Sequence, residues 1–246
     1  MGNWLLPDDQ QAWLGPKNLL IDSQAHDVFV EAAGSRAAQQ EAAVLISQEC
    51  GAQLRHNEAP LLAASRLVSD DLVVMEWVGD QWVNTACVLC NPTFFSAHHA
   101  GGKSLIALHG PVPDGGFGLA ARIDRVFTNL PATTILERHN WTVQWSDARF
   151  TPNFEPLRQQ AVAAAVAEAS DNLFLRVERQ TIRRLPRSGA ILFTIRIRLT
   201  RLSALLTDPT HKADFEHAWY QAPEPVRHYK HWEVFERHVA FLLARN

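Results

Sequence analysis

The sequence predicts an α+β protein in which helices flank an antiparallel sheet within a single domain, residues 1–246. Two observations support this class. Two pairs of β-branched and aromatic runs are each joined by a short turn, and Ala-rich or amphipathic stretches precede, separate and follow them. With 246 residues, 47% hydrophobic and 20% charged, the chain can bury a sizeable core, and its composition excludes disorder.

The predicted elements follow in chain order. Residues 28–54 place apolar side chains at helical spacing, with an interruption at Gly34, and belong to a helical N-terminal part, 1–60. Runs at 72–77 and 82–88 predict a hairpin turning at Gly79 and Asp80. The remaining predictions are an amphipathic helix at 117–130, a strand at 135–145, a helix at 159–169, strands at 173–185 and 190–199, and helices near 212–220 and 225–243. The sheet core therefore spans 70–200 and a helical tail spans 201–246.

Composition and missing motifs narrow the function. A net charge of −3 argues against nucleic acid as a partner, and no apolar run reaches the ~18 residues of a membrane span. Residues 1–10 lack a basic region followed by an apolar stretch, so a cytoplasmic location is expected. Phosphate-loop, dinucleotide and serine-hydrolase motifs are absent. Cys87 and Cys90 would point to opposite faces of a strand, which indicates reduced, partly buried thiols.

Arginine is unusually frequent in the predicted hairpin at 173–199. Alternation places Arg179 and Arg183 on one face of the strand, and Glu178 and Gln180 on the other. These guanidinium groups are either solvated partners of cross-strand carboxylates or the holders of an anionic ligand. The second alternative follows because a guanidinium among apolar strand residues stays charged and needs a carboxylate or phosphate-like partner.

Two further positions are candidates for chemistry. His109 follows an apolar approach and precedes a rigid Pro-Val-Pro segment, and it is either a hydrogen-bonded core residue or a ligand. Asn140 and Trp141 are adjacent in the predicted strand at 135–145, a pattern typical of a core Trp beside a polar neighbour. The remaining histidines lack the companions of a zinc site.

Four blocks of sequence resemble the haem-dependent oxidative N-demethylase family, which includes the haem subunit of bacterial dimethylamine monooxygenase. They are residues 105–113 (LIALHGPVP), 121–127 (ARIDRVF), 137–143 (ERHNWTV) and 175–196 (LRVERQTIRRLPRSGAILFTIR). The resemblance implies a PAS-like antiparallel sheet with additional N- and C-terminal helices. It also implies a monooxygenase that uses O2 to convert a small secondary or N-methylated amine, such as dimethylamine, into a demethylated amine and formaldehyde.

The same resemblance implies haem b as the cofactor and assigns residues to it. His109 is expected to be the ligand of the haem iron, because neutral imidazole is a common axial ligand. Arg179, Arg183 and Arg184 are expected to pair with the haem propionates, which are carboxylates. Trp141 is expected to pack against the macrocycle.

Substrate and electron supply complete this expectation. Asn140 is expected to hydrogen-bond bound O2 or the amine, and Glu178 to pair with a cationic amine. In the family, electrons come from NADPH through a separate flavin and iron–sulfur reductase, and this chain carries neither motif, so a partner subunit is expected to deliver them. Two alternatives stay open: a haem-binding PAS-type sensor or gas-binding module without turnover, and a member that has lost haem and acts as an interaction protein.

Overall fold

The computed structural model describes residues 4–6, 11–93, 95–113 and 118–245. These residues combine helices with a six-stranded, fully antiparallel open sheet, in agreement with the predicted class. The strands are β1 (Phe29–Glu31), β2 (Asp71–Val78), β3 (Gln81–Val88), β4 (Ile135–Trp145), β5 (Leu173–Arg184) and β6 (Ile191–Arg201). Their order across the sheet is β1-β3-β2-β6-β5-β4.

The helices lie before, within and after the strands. They are α1 (Gln11–Val28), α2 (Arg36–Cys50), α3 (Pro60–Ser65), α4 (Ala97–Ala100), α5 (Leu105–His109), α6 (Ala120–Asn129), α7 (Glu155–Ala163), α8 (Ala169–Asn172), α9 (Leu202–Leu205), α10 (Pro209–Gln221), α11 (Glu224–Tyr229) and α12 (Glu236–Arg245). Short 3₁₀ turns occur at Val166–Glu168 and Trp232–Val234. No helix in the described part of the chain is both long and apolar enough to cross a bilayer.

The two hairpins form where their turn chemistry predicts them. Gly79 and Asp80 have φ angles of 62° and 105°, so both central residues of the β2–β3 turn are left-handed, as the twist of a two-residue hairpin requires. The β5–β6 connection contains Pro186 and Gly189, whose φ is 73°. The predicted strand at 135–145 is confirmed with the same bounds as β4.

Three predicted helices differ from the structure. The prediction of one helix at 225–243 is wrong, because the chain forms α11, a 3₁₀ turn and α12 there, and His231 between them has a left-handed φ of 54°. The prediction of a helix over 28–54 is wrong at residues 29–31, which form β1 because Val30 pairs with Cys87 of β3. A pairing partner so distant in sequence leaves no trace in local composition. The predicted helix at 159–169 instead runs from Glu155 to Ala163 and is followed by the first 3₁₀ turn. Residue 117, where the predicted amphipathic helix begins, lies outside the described residues, and α6 covers residues 120–129 of that prediction.

The sheet separates three hydrophobic clusters. We call the face that carries Glu178 the first face and the face that carries Arg179 the second face. Val73, Met75 and Cys87 lie on the first face and pack against α4, α5 and α6. The second face meets α1, α2 and α3 at one end of the sheet, and α7 to α10 and α12 at the other. Each strand therefore divides its alternate residues between two different environments.

Candidate active site

Five polar side chains form a strip on the first face of β4 and β5: Arg138, Asn140, Arg176, Glu178 and Gln180. Glu178 is at its centre. One of its carboxylate oxygens, Oε2, accepts from Gln180 Nε2 at 2.9 Å and from Asn140 Nδ2 at 3.4 Å, and the other, Oε1, accepts from Arg176 Nε at 3.4 Å. Because 19% of its side chain is exposed, the carboxylate is held in place and still reachable by a ligand.

Arg176 forms the buried end of this polar strip. Its side chain is 1% exposed, and its Nη2 donates to the carbonyl of Asn91 at 2.5 Å while Nη1 donates to Gln144 Oε1 at 3.3 Å. Burial lowers the pKa of the guanidinium, and the carboxylates of Glu178 and Asp71 oppose that shift. An arginine stays charged under these conditions, so it fixes the position of Glu178.

Arg138 lies at the opposite, exposed end, and the half-buried His109 lies near enough for their charges to interact. Arg138 Nε donates to Gln180 Oε1 at 2.5 Å. His109 is the last residue of α5, and its Nδ1 lies 2.9 Å from the carbonyl oxygen of Leu105. A carbonyl can only accept, so Nδ1 carries the proton and Nε2 keeps its lone pair. Burial lowers the pKa of His109, the hydrogen bond to Leu105 opposes that change, and the charge of Arg138 adds to it, so the net shift is downward and favours the form of imidazole that metal ions bind.

The tail contributes two residues to this site. Lys230 Nζ donates to Asn140 Oδ1 at 3.0 Å and to the carbonyl of Trp141 at 2.6 Å. Burial lowers the pKa of Lys230, and the Glu178 carboxylate opposes that change. Burial raises the pKa of the neighbouring Tyr229, and Glu178 raises it further. Residues 229 and 230 therefore bring a phenol and an ammonium group to the strip.

Two of the predicted propionate partners lie on the second face, as their alternation with Glu178 predicts. Arg179 donates to the carbonyl of Trp4 at 3.1 Å and pairs with Glu137 at 2.5 Å. Arg183 lies 4.6 Å above the ring of Trp4. The structure therefore brings these two guanidinium groups together with the N-terminal segment and not with the polar strip. Their binding to propionates stays a prediction.

Arg184 lies on the first face but at the far end of β5. Its guanidinium donates to the carbonyls of Leu130 at 2.8 Å and Gly189 at 2.7 Å, and to those of Phe127 and Thr128. These contacts satisfy carbonyls at the C-terminal end of α6, where a cation is also favoured by the helix dipole. The structure thus engages Arg184 in fixing a helix end, and its role towards a propionate stays a prediction.

Trp141 faces away from the strip that contains its neighbour Asn140. Its ring centroid lies 4.6 Å from that of Trp232 and 5.9 Å from that of Phe215, within the cluster under the tail helices. Successive strand residues point to opposite faces, so Asn140 and Trp141 do not line the same surface. Packing of Trp141 against a macrocycle stays a prediction.

Sequence reasoning placed Gln180 on the face of Glu178 without giving it a role, and it missed four other residues of the site: Arg138, Arg176, Tyr229 and Lys230. Alternation could have found the first two, because Arg138 stands two positions before Asn140 and Arg176 two positions before Glu178. Lys230 is 90 residues from Asn140, and only the folded tail brings it there.

Other candidate features lie away from the strip. Cys87 and Cys90 are free thiols in different hydrophobic clusters, and burial raises the pKa of each to about 12. A depression of about 420 Å³ lies beside the β2–β3 hairpin, and none of its lining residues belongs to the strip. Its lining residues are Glu76, Trp77, Trp82, Thr128, Arg184, Ser188, Gly189 and Ala190.

Fold and site together define a single-sheet protein of mixed helix and strand, in which a partly exposed carboxylate lies among arginine and lysine side chains and an imidazole of lowered pKa lies at one end. Residues 20–240 match the family model described as haem-dependent oxidative N-demethylase, alpha subunit-like. The match covers most of the 246 residues, so the chain belongs to this family, as the four sequence blocks predicted. The family is haem-dependent, which supports haem as the cofactor.

Proposed function

We propose that this protein binds haem b on the first face of the sheet and uses O2 to remove a methyl group from a small amine. The family supports haem dependence and oxidative N-demethylation as the general activity. The observation that carries the proposal is that His109, whose Nδ1 is held by the carbonyl of Leu105, lies near enough to Arg138 of the strip for their charges to interact. Electrons from NADPH would arrive through a separate flavin and iron–sulfur subunit, which fits the alpha-subunit-like description of the family.

The architecture also favours a PAS-like domain. The hairpin β2–β3 and the meander β4–β5–β6 are joined side by side through β2 and β6. Helices α4, α5 and α6 connect the two units and cover the part of the first face formed by β2, β3 and the adjoining residues of β6. In PAS domains a ligand lies between the connecting helices and the sheet, so the same elements here support the placement of haem beside α5.

The residues present fit a haem group. His109 has its Nδ1 fixed by a backbone carbonyl, which is the usual outer partner of a metal-binding imidazole and leaves Nε2 for iron. Within the described part of the chain, Arg138 uses its Nε for Gln180, which leaves its terminal nitrogens for a propionate. When bound, the iron supplies the activation of O2 that oxidises the N-methyl carbon.

The remaining strip residues would bind and orient the amine. The carboxylate of Glu178 accepts hydrogen bonds from a protonated amine, because its three donors within the protein leave acceptor capacity. Asn140 lies beside it and offers an amide to O2 or to the amine. Arg176 keeps Glu178 in place from the buried side.

The test is product formation by the haem-loaded protein with NADPH and a surrogate flavin and iron–sulfur reductase. With dimethylamine or another N-methyl amine, we expect one formaldehyde for each O2 and each two electrons consumed, with water as the second oxygen product. Haem binding without formaldehyde from any N-methyl amine would replace this proposal with that of a gas-binding module. Failure to bind haem would overturn both.

A further inference from the structure

Two opposite charges lie at the two ends of one amide. The Asn140 side chain accepts from Lys230 Nζ at 3.0 Å and donates to Glu178 Oε2 at 3.4 Å. Since the oxygen and nitrogen of an amide are about 2.3 Å apart, the ammonium and the carboxylate oxygen are separated by at most about 9 Å. Asn140 therefore sets the spacing between a fixed cation and a fixed anion.

Both charged groups can accept a further partner. Lys230 has three N–H donors, and two of them are used on Asn140 and on the carbonyl of Trp141 among the described residues. Glu178 makes two of its three contacts at 3.4 Å, which is long for a carboxylate hydrogen bond. Both side chains are only partly buried, so a ligand can reach them.

The cation beside Asn140 favours a ligand with a carboxylate. Arg176 is shared between the carboxylates of Glu178 and Asp71, and Arg138 is assigned to a propionate, so Lys230 is the cation of the strip that keeps a donor for the ligand. A simple dialkylammonium ion would pair with Glu178 but would leave that donor of Lys230 unused. A ligand that carries both an ammonium and a carboxylate would satisfy the two ends of the Asn140 amide at once.

The spacing fits one class of such ligands. In an α-amino acid the nitrogen and the nearer carboxylate oxygen lie about 3 Å apart, and charge-assisted hydrogen bonds of about 2.8 Å at each end give a span of about 8–9 Å. We propose that the amine substrate is an N-methylated α-amino acid, bound with its ammonium on Glu178 and its carboxylate on Lys230. This inference rests on the proposed function and names its substrate class.

The reaction balances as it does for any N-methyl amine. The N-methyl C–H bond is replaced by C–O with one oxygen atom of O2. The C–N bond then breaks, and formaldehyde and the demethylated amino acid leave. The second oxygen atom leaves as water with two electrons from the reductase and two protons.

Lys230 also has an alternative, purely structural role, because it lies 5.6 Å from the ring of Trp141 and 5.5 Å from that of Trp232. The two roles differ in what they predict for specificity. Loss of a structural cation–π contact would affect all amines alike, whereas loss of a carboxylate partner affects only the amino acid.

The experiment compares N-methylglycine with dimethylamine on the haem-loaded protein, by kcat/KM for formaldehyde and by calorimetric binding. We expect the wild-type protein to favour N-methylglycine at least about ten-fold in both measurements. In Lys230→Met that ratio should fall about ten-fold or more, Lys230→Arg should retain part of it, and Lys212→Met, a change on α10 outside the strip, should leave it unchanged.

The outcomes separate this inference from the proposal on which it rests. Formaldehyde from dimethylamine with no preference for N-methylglycine, or an unchanged ratio in Lys230→Met, would overturn the inference and leave the N-demethylase function standing. Absence of formaldehyde from every N-methyl amine would overturn both. Binding of N-methylglycine that is lost in Lys230→Met would support the inference independently of turnover.

Discussion

The two faces of β5 treat their charged residues differently. On the second face, Arg179 is engaged by a carbonyl and a carboxylate, and Arg196 of the adjacent strand pairs with Asp70 at 2.6 Å with both side chains 1% exposed. On the first face, Glu178 is held by long contacts and remains partly exposed. Alternate residues of one strand thus serve the packing of the protein on one side and a candidate site on the other.

This difference shows why the number of arginines is a poor guide to function. A buried guanidinium that already pairs with a carboxylate of its own chain, as Arg196 pairs with Asp70, is not accessible to a ligand. Function is expected where a charged group keeps hydrogen-bonding capacity and access, as Glu178 and Arg138 do. Each prediction below changes one face and leaves the other intact.

The largest effect on stability is expected from the buried ion pair of the second face. Arg196→Met would leave the Asp70 carboxylate buried without its partner, so the free energy of unfolding should fall by about 3–5 kcal/mol. Denaturant unfolding measures this loss. Arg198→Met, two positions along the same strand and exposed, serves as the control and should cost less than about 1 kcal/mol. Equal losses in the two variants would show that the second face is not organised around this pair.

A charge buried on the first face should make stability depend on pH. Burial raises the pKa of Asp71 from 3.8 to about 6, against the opposing charge of Lys17 and the donors of Cys90 and Asn91. The folded protein then holds the proton more tightly than the unfolded chain does. Stability from this group is full below pH 3.8 and is lost as the pH rises through about 6, a change of about 3 kcal/mol. The free energy of unfolding of wild type and of Asp71→Asn, measured from about pH 3.5 to about pH 7, shows how much of the pH dependence comes from this carboxyl. A difference between the two proteins that does not vary with pH would contradict it.

The sequence predicts strands far better than it predicts what covers them. The bounds of β4 and the turns of both hairpins follow from alternation and from Gly, Pro and Asp, because these signals act over a few residues. Strand β1 and the approach of Lys230 to Asn140 depend on contacts between distant segments, for which no local signal exists.

Within the site, alternation predicted which residues share a face but not which face would be occupied by other parts of the chain. Arg179 and Arg183 were correctly separated from Glu178, yet only the folded structure shows the segment of Trp4 against them. Arg138 could have been inferred from its alternation with Asn140.

A third prediction concerns the carboxylate of the strip. Glu178→Gln removes the anion that pairs with a cationic amine, so kcat/KM for N-demethylation should fall about ten-fold or more, because hydrogen bonds to charged groups contribute about 1.5–3 kcal/mol. Glu137→Gln is the matched control, since Glu137 lies on the second face of β4 and pairs with Arg179. A similar loss in both variants would remove the distinction between the faces.

The smallest effect is expected for haem affinity. Arg138→Met should weaken haem binding several-fold, because it removes an exposed ion pair with a propionate and such pairs contribute about 0.2–1 kcal/mol. Arg179→Met should change haem binding less than about two-fold, because Arg179 lies on the other face of the sheet. Titration of apoprotein with haem gives both values. Weaker haem binding in Arg179→Met alone would support the pairing of Arg179 with a propionate, as predicted from the sequence, and would contradict the assignment of Arg138 to that role.

The most direct measurement is the visible absorption spectrum of haem-loaded wild type, His109→Ala and His139→Ala. His139 lies on the second face of β4 and is exposed, which makes it a matched control for the loss of an imidazole. We predict a strong Soret band in wild type and in His139→Ala, and a lost or shifted band in His109→Ala. An unchanged spectrum in His109→Ala would contradict the assignment of this histidine to the haem iron and, with it, the placement of haem on the first face.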